Sequence, residues 1–445
     1  MADTIAAIAT PPGQGGVGIV RISGKNACSI AEKISQLQSF EPRKIHFASF
    51  FDDQQNLIDQ GLLIYFKNPA SFTGEDVIEL QTHGSPVVLD MLIEAITQQG
   101  ARIARPGEFS ERAFLNGKLD LTQAEAIADL IEAGSKQAAR MATRSLQGAF
   151  SQAINELVEN LVKLRMFVEA AIDFPEEEID FLSDSKVSID LEDIKNRVNT
   201  ILEKANQSYL VKEGMNLVIA GKPNAGKSSL LNALSGSETA IVTNIPGTTR
   251  DTLKTHIQID GMPVHIIDTA GLRQSEDIVE LEGIKRAKRE IAQADHILWV
   301  YDSNETLDVT DIQKQHLPDE SPVTYIKNKI DKIDMAPSVD EKGHVIAISA
   351  KQGTGIDLVK NYLKQIMGYR SEQEGDFLAR RRHIEALQRA ARHLDNAETA
   401  LQQLKAGELL AEELRLAQNE LNEITGEFTS DDLLGKIFSS FCIGK

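Results

Sequence analysis

The chain has 445 residues, 42% of them hydrophobic, and a formal net charge of −19, so it is long enough for about three folded domains and too acidic for a passive nucleic-acid coat. Its two cysteines, Cys28 and Cys442, support neither a disulfide framework nor a multi-cysteine metal site and fit a reducing cytoplasm. No apolar run approaches the roughly 18–20 residues that span a bilayer, and the N-terminal MADTIAAIAT lacks the features of a secretory signal, which predicts a cytoplasmic protein without integral membrane association.

The first 118 residues are predicted to form a mixed α/β region. Apolar residues at helical spacing indicate a helix over Pro86–Gln98. Short runs rich in strand-forming residues, separated by Gly and Pro, lie at 4–10, 17–22, 62–66 and 77–81. The glycine-rich stretch 13–18 resembles a dinucleotide-binding loop only loosely, because it lacks strict G-x-G-x-x-G spacing and a βαβ setting, so we predict a turn there.

Helical patterns dominate residues 119–210 and return from about 376 to 441. Thr122 and Glu125 have the spacing of a capping box at the start of the first block, and Pro175 ends the helical pattern later in it. Two helical blocks on either side of an α/β block indicate one helical domain with an inserted α/β domain. Two basic stretches, at 285–289 and 380–382, either dock RNA or form solvated helix faces.

Residues 211–372 alternate apolar strands with amphipathic helices. The continuous apolar runs at 217–220, 264–267, 297–301, 323–326 and 345–348 are typical of a parallel sheet covered on both faces.

The sequence GKPNAGKS at 221–228 matches the phosphate-binding loop G-x-x-x-x-G-K-[ST], and it directly follows an apolar strand and precedes a helical run at 229–234. In such a loop, backbone N–H groups and the helix N-terminus surround the phosphates. Lys227 is expected to reach the β- and γ-phosphates, and the Ser228 hydroxyl is expected to bind Mg²⁺.

Three further motifs each follow an apolar strand, in the order expected for a GTP site. DTAG at 268–271 places Asp268 near the metal and the Gly271 N–H near the γ-phosphate. In NKID at 328–331, the Asp331 carboxylate can accept two hydrogen bonds from guanine, which adenine cannot donate. SAK at 349–351 follows the last strand and is predicted to close on the base.

The group that assists hydrolysis is not evident from these motifs. Leu272 occupies the position where many switch GTPases carry the glutamine that orients water. Arg250 and Arg273 lie in the expected switch loops, where arginines are usually solvated, so another group must supply charge and position the water.

Several sequence blocks closely resemble the MnmE (TrmE) family of tRNA-modifying GTPases, and the resemblance covers essentially the whole chain. They are PPG at 11–13, GGVG at 15–18, FTGED at 72–76, PGEF at 106–109, RAFLNGKLDL at 112–121, GTTRD at 247–251, DTAGL at 268–272 and FCIGK at 441–445.

The resemblance implies an N-terminal folate-binding and dimerisation domain at 1–118, a discontinuous helical domain at 119–210 and 373–445, and an inserted Ras-like GTPase domain at 211–372. It implies a homodimer through the N-terminal domain, transient association of the GTPase domains, and a heterotetramer with the flavoprotein MnmG (GidA), which carries FAD. Together they add a carboxymethylaminomethyl or aminomethyl group to C5 of the wobble uridine (U34) of certain tRNAs. The one-carbon unit would come from a tetrahydrofolate derivative, either 5-formyl- or methylene-tetrahydrofolate.

The resemblance also assigns roles to single residues of the GTP site. K⁺ would replace the missing arginine, bound by the Asn224 side chain and the region of Thr243, Ile245 and Thr248. Thr249 would join Ser228 on Mg²⁺, and Glu280 would orient the attacking water. The predicted GTP-binding set is Asn224, Ala225, Gly226, Lys227, Ser228, Ser229, Thr243, Asn244, Ile245, Pro246, Gly247, Thr248, Thr249, Asp268, Thr269, Ala270, Gly271, Asn328, Lys329, Asp331, Ser349, Ala350 and Lys351.

By the same resemblance, Arg21, Glu79, Lys118 and Lys445 would bind folate, whose pterin suits a carboxylate and whose glutamate tail suits cations. Cys442 is either a thiolate that takes part in the modification or a small packing residue.

Two other functions stay open at this point. A GTPase switch in ribosome assembly or membrane recruitment is the main alternative, although we find no RNA-binding module in the sequence. A folate-dependent one-carbon enzyme with a regulatory GTPase overlaps the first interpretation.

Overall fold

The computed structural model describes residues 3–173, 185–236, 254–259, 262–268, 294–306, 322–340, 344–367, 376–427, 431–441 and 444. The chain forms two compact units. The first comprises Met1–Glu132, Thr143–Asn199 and Glu385–Lys445, and the second comprises Ala133–Ala142 and Thr200–Ile384. The division into three domains at 118, 210 and 372 remains a prediction.

The N-terminal part of the first unit is a six-stranded sheet in the order β3-β4-β5-β2-β1-β6. Its strands are β1 (Ile5–Ile8), β2 (Gly15–Ser23), β3 (Ile45–Phe51), β4 (Leu57–Phe66), β5 (Val77–Gly84) and β6 (Arg102–Ile103). Helices α1 (Ala27–Ser35) and α2 (Pro86–Gln98) pack their apolar residues on one face of the sheet, and α3 (Glu108–Leu115) follows β6. Val20 and Ile22 point into that core, so Arg21 between them points to the opposite face.

The first helical block consists of α4 (Leu121–Glu132), α5 (Lys136–Leu146), α6 (Ala149–Asp173) and α7 (Ser185–Glu213). The predicted capping box is wrong by two positions, because α4 begins at Leu121 and its cap is Asp120. The Asp120 carboxylate accepts a hydrogen bond from the Gln123 backbone N–H at 2.9 Å, and the Gln123 amide oxygen accepts one from the Asp120 N–H at 3.0 Å. Thr122 lies inside the helix, and its hydroxyl donates to Asp120 at 2.7 Å. Pro175 lies outside the described residues.

The second unit is built on a seven-stranded sheet in the order β12-β13-β11-β10-β7-β9-β8. The strands are β7 (Met215–Gly221), β8 (Lys254–Ile259), β9 (Met262–Asp268), β10 (His296–Asp302), β11 (Val323–Asn328), β12 (Ser338–Val339) and β13 (Val345–Ala347), with helices α8 (Lys227–Ser235) and α9 (Ile356–Ile366). The five predicted strands form the parallel centre of this sheet. The edge strands β8 and β12 run antiparallel to their neighbours, which makes the whole sheet mixed.

The C-terminal helices are α10 (Arg381–Thr399), α11 (Gly407–Thr425) and α12 (Asp431–Ser439), and a π-helical turn (Ala400–Leu404) extends α10. Within the first unit, α11 packs along α6, where the Arg165 guanidinium donates to the Gln418 side chain at 2.5 Å. The predicted fold class, an α/β N-terminal region, helical segments and a P-loop α/β region, is confirmed. Across the helices that are described, none combines the length and hydropathy needed to cross a bilayer.

The stretch 13–18 is mostly strand and not the predicted turn. Gly15–Ser23 pairs with β5, and the register shifts between Gly15 and Gly18. The irregularity absorbs the glycines without breaking the sheet.

Candidate functional site

The predicted nucleotide motifs meet at one edge of the second sheet, because parallel strands end on the same side. In the register of the sheet, Gly221 of β7 lies beside Val300 of β10, and Asp302 of β10 lies beside Asn328 of β11. The phosphate-binding loop after β7 and the NKID motif after β11 therefore leave the sheet together, as ligand sites do in open α/β sheets. Asp268 ends β9 at the same edge.

The phosphate-binding loop turns directly into α8. Gly226 has φ +98°, and a Cβ there would lie 2.3 Å from the Asn328 side-chain nitrogen, so only glycine fits. Asn224, at φ +61°, is also left-handed and is exposed. Lys227 and Ser228 occupy the first turn of α8, where N–H groups and the helix dipole favour anions. The Lys227 ammonium donates to the carbonyls of Gly221 and Lys222, both at 2.9 Å.

Asn328 joins the three loops of the site. It is 2% exposed, and its amide nitrogen donates to the Ala225 carbonyl in the phosphate-binding loop at 2.9 Å. Its amide oxygen accepts hydrogen bonds from the Lys329 N–H at 2.8 Å and the Ala350 N–H at 3.0 Å. A single buried amide therefore sets the spacing between the phosphate end and the base end of the site.

Asp331 lies at the base end with an oriented carboxylate. Its Oδ1 accepts a hydrogen bond from the Ser349 hydroxyl at 2.6 Å, and Ser349 is 1% exposed. The Ile330 N–H donates to the Ile348 carbonyl at 3.2 Å, which holds the NKID and SAK segments together. Each carboxylate oxygen can accept more than one hydrogen bond, so this arrangement leaves Asp331 able to accept from a guanine.

Part of the predicted site falls outside the described residues. These positions are Thr243, Asn244, Ile245, Pro246, Gly247, Thr248, Thr249, Arg250, Thr269, Ala270, Gly271, Leu272, Arg273, Glu280, Cys442 and Lys445, together with the Asp268 side chain. The described positions from Asn224 to Ser229 and from Asn328 to Lys351 are the ones that the sheet brings together.

A second candidate site lies on the N-terminal sheet, on the face opposite its core. Arg21 and Glu79 are direct partners in the β2–β5 register. The Arg21 Nε and Nη2 atoms donate to Glu79 Oε1 at 3.0 and 2.8 Å. Within the described part of the chain, Glu79 Oε2 has no hydrogen-bond partner, so this oxygen is available to a ligand donor.

Two aromatic rings flank the Arg21 guanidinium. Its central carbon lies 5.8 Å from the Phe72 ring centroid and 5.7 Å from that of Phe109, within cation–π range. Lys118 contacts the segment that carries Phe72, since its ammonium donates to the Pro69 carbonyl at 2.9 Å. Of the predicted folate residues, Arg21 and Glu79 are thus in direct contact. Lys118 is connected to them through the segment that carries Phe72.

The C-terminal segment reaches this second site. The Arg21 Nη1 donates to the Gly444 carbonyl at 3.3 Å. Gly444 has φ +93°, and a Cβ there would lie 2.3 Å from the Ile8 carbonyl oxygen, so a larger residue cannot lie this close to β1. Upstream, Phe441 is 5% exposed and packs on Phe438 with ring centroids 5.4 Å apart.

A buried ionic network holds α3, which carries Phe109. Glu108 is 2% exposed and accepts hydrogen bonds from the guanidinium groups of Arg102 at 2.5 Å and Arg112 at 3.1 Å. Burial raises the pKa of Glu108, but the hydrogen bonds from Arg102, the Arg105 N–H and Arg112 outweigh it and lower the pKa to about 2. The first turn of α3 is therefore held by a carboxylate that stays ionised.

Comparison with known proteins shows the family to which the chain belongs. Residues 4–118 match the family model of the GTP-binding protein TrmE N-terminus, and residues 121–442 match that of the MnmE helical domain. Proteins named tRNA modification GTPase MnmE are 57% identical in Vibrio cholerae and 58% identical in Legionella pneumophila, over 100% of this chain and 99% of each relative. The chain belongs to the MnmE family.

The sequence interpretation of this MnmE-family chain missed three side chains at the sites. Phe72 and Phe109 stand in two of the blocks that carry the resemblance, but only the folded sheet places them around Arg21. Asp302 follows the apolar run 297–301, as Asp268 follows its own strand, and that position was the available signal.

Proposed function

We propose that this chain hydrolyses GTP as an enzyme of tRNA modification. The observation that carries the proposal is the Asn328 amide, which joins the phosphate-binding loop to the guanine-recognition segments at one sheet edge. The full-length identity to the tRNA modification GTPase MnmE proteins supports the same activity.

In the nucleotide site, each described residue has a chemical role that its position supports. On binding GTP, the Lys227 ammonium exchanges the Gly221 and Lys222 carbonyls for phosphate oxygens. The Ser228 hydroxyl is an oxygen donor on the first turn of α8, and Mg²⁺ prefers such donors. Asp331 accepts the guanine N–H groups. Thr249, the metal ligand of switch I, and Glu280, which orients the water, complete this proposed machinery.

Hydrolysis is proposed to depend on K⁺. The Asn224 side chain offers an amide oxygen from an exposed, left-handed position in the phosphate-binding loop. A cation held there beside the phosphates would offset negative charge that develops in the transition state. The region of Thr243, Ile245 and Thr248 would supply the other oxygen atoms.

The N-terminal site is proposed to bind a tetrahydrofolate derivative. The chemistry of the donor set supports this, because Glu79 has an available carboxylate oxygen for a pterin N–H and Arg21 carries a cation next to it. Lys118 and Lys445 would meet the glutamate tail. When bound, the folate supplies the one-carbon unit, and the residues of this chain orient it.

The modification itself is proposed to be carried out with the flavoprotein MnmG, which holds FAD. The two proteins would form a heterotetramer and add a carboxymethylaminomethyl or aminomethyl group at C5 of U34 in certain tRNAs. The contact between Arg21 and Gly444 supports a role of the C-terminal segment in this chemistry, because Gly444, two positions after Cys442, accepts a hydrogen bond from a residue of the proposed folate site.

The chain is proposed to form a homodimer through its N-terminal sheet, with transient association of the GTPase domains. β3 is an edge strand, and its Ile45 and Phe47 side chains are 65% and 70% exposed. An unprotected edge with large exposed apolar residues is typical of an interaction surface.

A paired measurement tests the proposed function and its separation into two sites. In cells whose chromosomal copy is replaced by Cys442→Ser, we expect U34 modification to be lost, because a hydroxyl ionises far less readily than a thiol. The purified variant should hydrolyse GTP at the wild-type rate. Normal U34 modification in the Cys442→Ser cells would mean that the thiol takes no part in the chemistry and that Cys442 is a packing residue. Normal modification in cells lacking the whole protein would instead favour a GTPase switch of another process.

A further inference from the structure

The turn after β10 contacts both loops of the nucleotide site. Asp302 ends the strand and lies beside Asn328 in the register of β10 and β11. Its Oδ2 accepts a hydrogen bond from the Lys329 ammonium at 2.8 Å and lies 3.5 Å from that of Lys332. The other oxygen, Oδ1, accepts a hydrogen bond from the Asn304 N–H at 3.1 Å, so the Asp302 carboxylate also binds the backbone of the turn that follows it.

The same turn holds the backbone of Lys329. The Ser303 N–H donates to the Asn328 carbonyl at 2.8 Å, and the Ser303 hydroxyl donates to the Lys329 carbonyl at 2.9 Å. Lys329 itself has φ +65°, a left-handed conformation that a non-glycine residue keeps only when its surroundings hold it. Both the main chain and the side chain of Lys329 are thus bound by residues 302–303.

Lys329 connects this turn to the phosphate-binding loop. Its ammonium also donates to the Asn224 carbonyl at 2.6 Å, so one side chain bridges Asp302 and the loop. The pair is sheltered, with side-chain exposures of 25% for Lys329 and 17% for Asp302. The hydrogen bond from Lys329, with that from the Asn304 N–H, lowers the pKa of Asp302 to about 2, so the carboxylate is ionised at every physiological pH.

We propose that Asp302 is a positioning residue for nucleotide binding, which holds the Lys329 side chain against the Asn224 carbonyl and thereby keeps the phosphate-binding and base-recognition loops in register. The inference deepens the proposed function and rests on its assignment of the guanine site. The Asp302 carboxylate contacts Asn304, Lys329 and Lys332, and the proposed mechanism gives it no role on the phosphates or the reacting water. Its loss should therefore weaken the binding of GDP and GTP while the hydrolysis of bound GTP continues.

The test is Asp302→Asn, which keeps the size and removes the charge. We expect the dissociation rate of a fluorescent GDP analogue, measured by stopped flow, to rise by about tenfold, the scale of one charge-assisted hydrogen bond. The single-turnover rate at saturating GTP should stay within about twofold of wild type, as expected when only ground-state binding is lost.

Asp295→Asn is the matched control. Asp295 precedes the opposite end of the same strand and also binds backbone, since its Oδ2 accepts from the Asn216 N–H at 2.7 Å. It is expected to leave GDP dissociation unchanged. An equal effect of the two variants would mean that Asp302 only supports the strand, and it would overturn the proposal.

A double-mutant cycle shows whether Asp302 acts through Lys329. In a Lys329→Met background, Asp302→Asn should add little to the dissociation rate, because the interaction is already lost. Additive effects, or a fall in single-turnover rate matching the loss of affinity, would overturn the proposal. Failure of the guanine-site assignment is detected separately, since Asp331→Asn would then leave the preference for GTP unchanged.

Discussion

At the scale of single residues, Asp331 offers the most direct test of base recognition. Replacing it with Asn exchanges one acceptor oxygen for a donor, which opposes the guanine N–H groups but suits the carbonyl of xanthine. We expect Asp331→Asn to lose about tenfold or more in GTP affinity, as charged hydrogen bonds contribute roughly 1.5–3 kcal/mol, and to gain affinity for xanthosine triphosphate. Titration with both nucleotides measures this. An unchanged preference for GTP would contradict the assignment.

Asn224 is the residue on which the proposed cation effect depends. Hydrolysis in K⁺ buffer should exceed that in Na⁺ buffer at equal ionic strength by at least about tenfold, given the size of transition-state charge stabilisation. Asn224→Ala should remove the difference and leave nucleotide binding largely intact, because the contact of Lys329 with this residue uses the backbone carbonyl. Equal rates of the wild-type protein in the two buffers would exclude the cation from the mechanism.

At the scale of elements, the exposed edge strand β3 predicts the oligomeric state. Phe47→Glu places a charge where a large apolar side chain is 70% exposed, so it should not disturb the core of the sheet. We expect the proposed dimer to be lost, so that light scattering after size-exclusion chromatography gives the mass of a monomer, with little change in melting temperature. Leu404→Glu, at a comparably exposed position on the π-helical turn (60%), is the control and should remain dimeric. A dimeric Phe47→Glu protein would place the interface elsewhere.

The buried network of α3 predicts an acid-dependent stability. Because the pKa of Glu108 is lowered from 4.5 to about 2, its contribution is complete above pH 4.5 and is lost as the pH falls toward 2. Its size is about 3 kcal/mol, the free energy that this difference in pKa represents. Glu108→Gln should lower the free energy of unfolding by about that amount at pH 7, and the gap should narrow in acid. Urea unfolding followed by circular dichroism measures it.

A second variant on α3 distinguishes the effect of the buried ionic network from that of losing any charge on this helix. Glu111 pairs with Arg105, whose side chain is 61% exposed, and exposed pairs contribute about 0–1 kcal/mol. Glu111→Gln should therefore lower the free energy of unfolding far less than Glu108→Gln does. Equal losses would mean that any charge removed from helix α3 destabilises the protein, and that the buried network has no special role.

Elements with a strong local pattern were predictable from the sequence, and those that depend on distant partners were not. Helix α2 has the predicted bounds Pro86–Gln98, and the five central strands of the second sheet coincide with the apolar runs. Helix α1 was missed because a helix of nine residues carries few periods. Strand β3 was missed because its exposed Phe47 and buried Phe50 are both apolar, which hides the alternation.

The same distinction holds for the sites. The phosphate and guanine motifs are local, so their order along the chain predicted the nucleotide site. The Asp302–Lys329 pair depends on strand register, and the Arg21–Gly444 contact joins residues 423 positions apart. Neither is encoded in a short pattern.

At the scale of the whole molecule, the two units should respond to acid in different ranges. His296, in the second unit, is 6% exposed, and burial lowers its pKa to about 4. The unfolded chain therefore binds a proton between pH 6.5 and 4 that the folded unit does not, so the second unit is fully stable above pH 6.5 and weakens as the pH falls toward 4. In the first unit, the stabilising contribution of Glu108 is lost only below pH 4.5.

Trp299 makes this difference measurable, because it is the single tryptophan of the chain and lies in the core of the second unit. Its fluorescence should give a melting midpoint that falls between pH 6.5 and 4. The side chain of His296→Gln is neutral throughout this range. The loss in free energy of unfolding between pH 6.5 and 4 should therefore be smaller by about 3 kcal/mol in this variant than in the wild type. A pH dependence identical to wild type would mean that His296 is not the responsible group.

The contact between Arg21 and Gly444 has a consequence for how the protein is made. Arg21 leaves the ribosome early in synthesis, and the residue that receives its third hydrogen bond follows 423 positions later. The face of the N-terminal sheet that carries Arg21 gains this partner only after α12 and the segment that follows it have been synthesised. A nascent chain halted before α12 would therefore lack this contact.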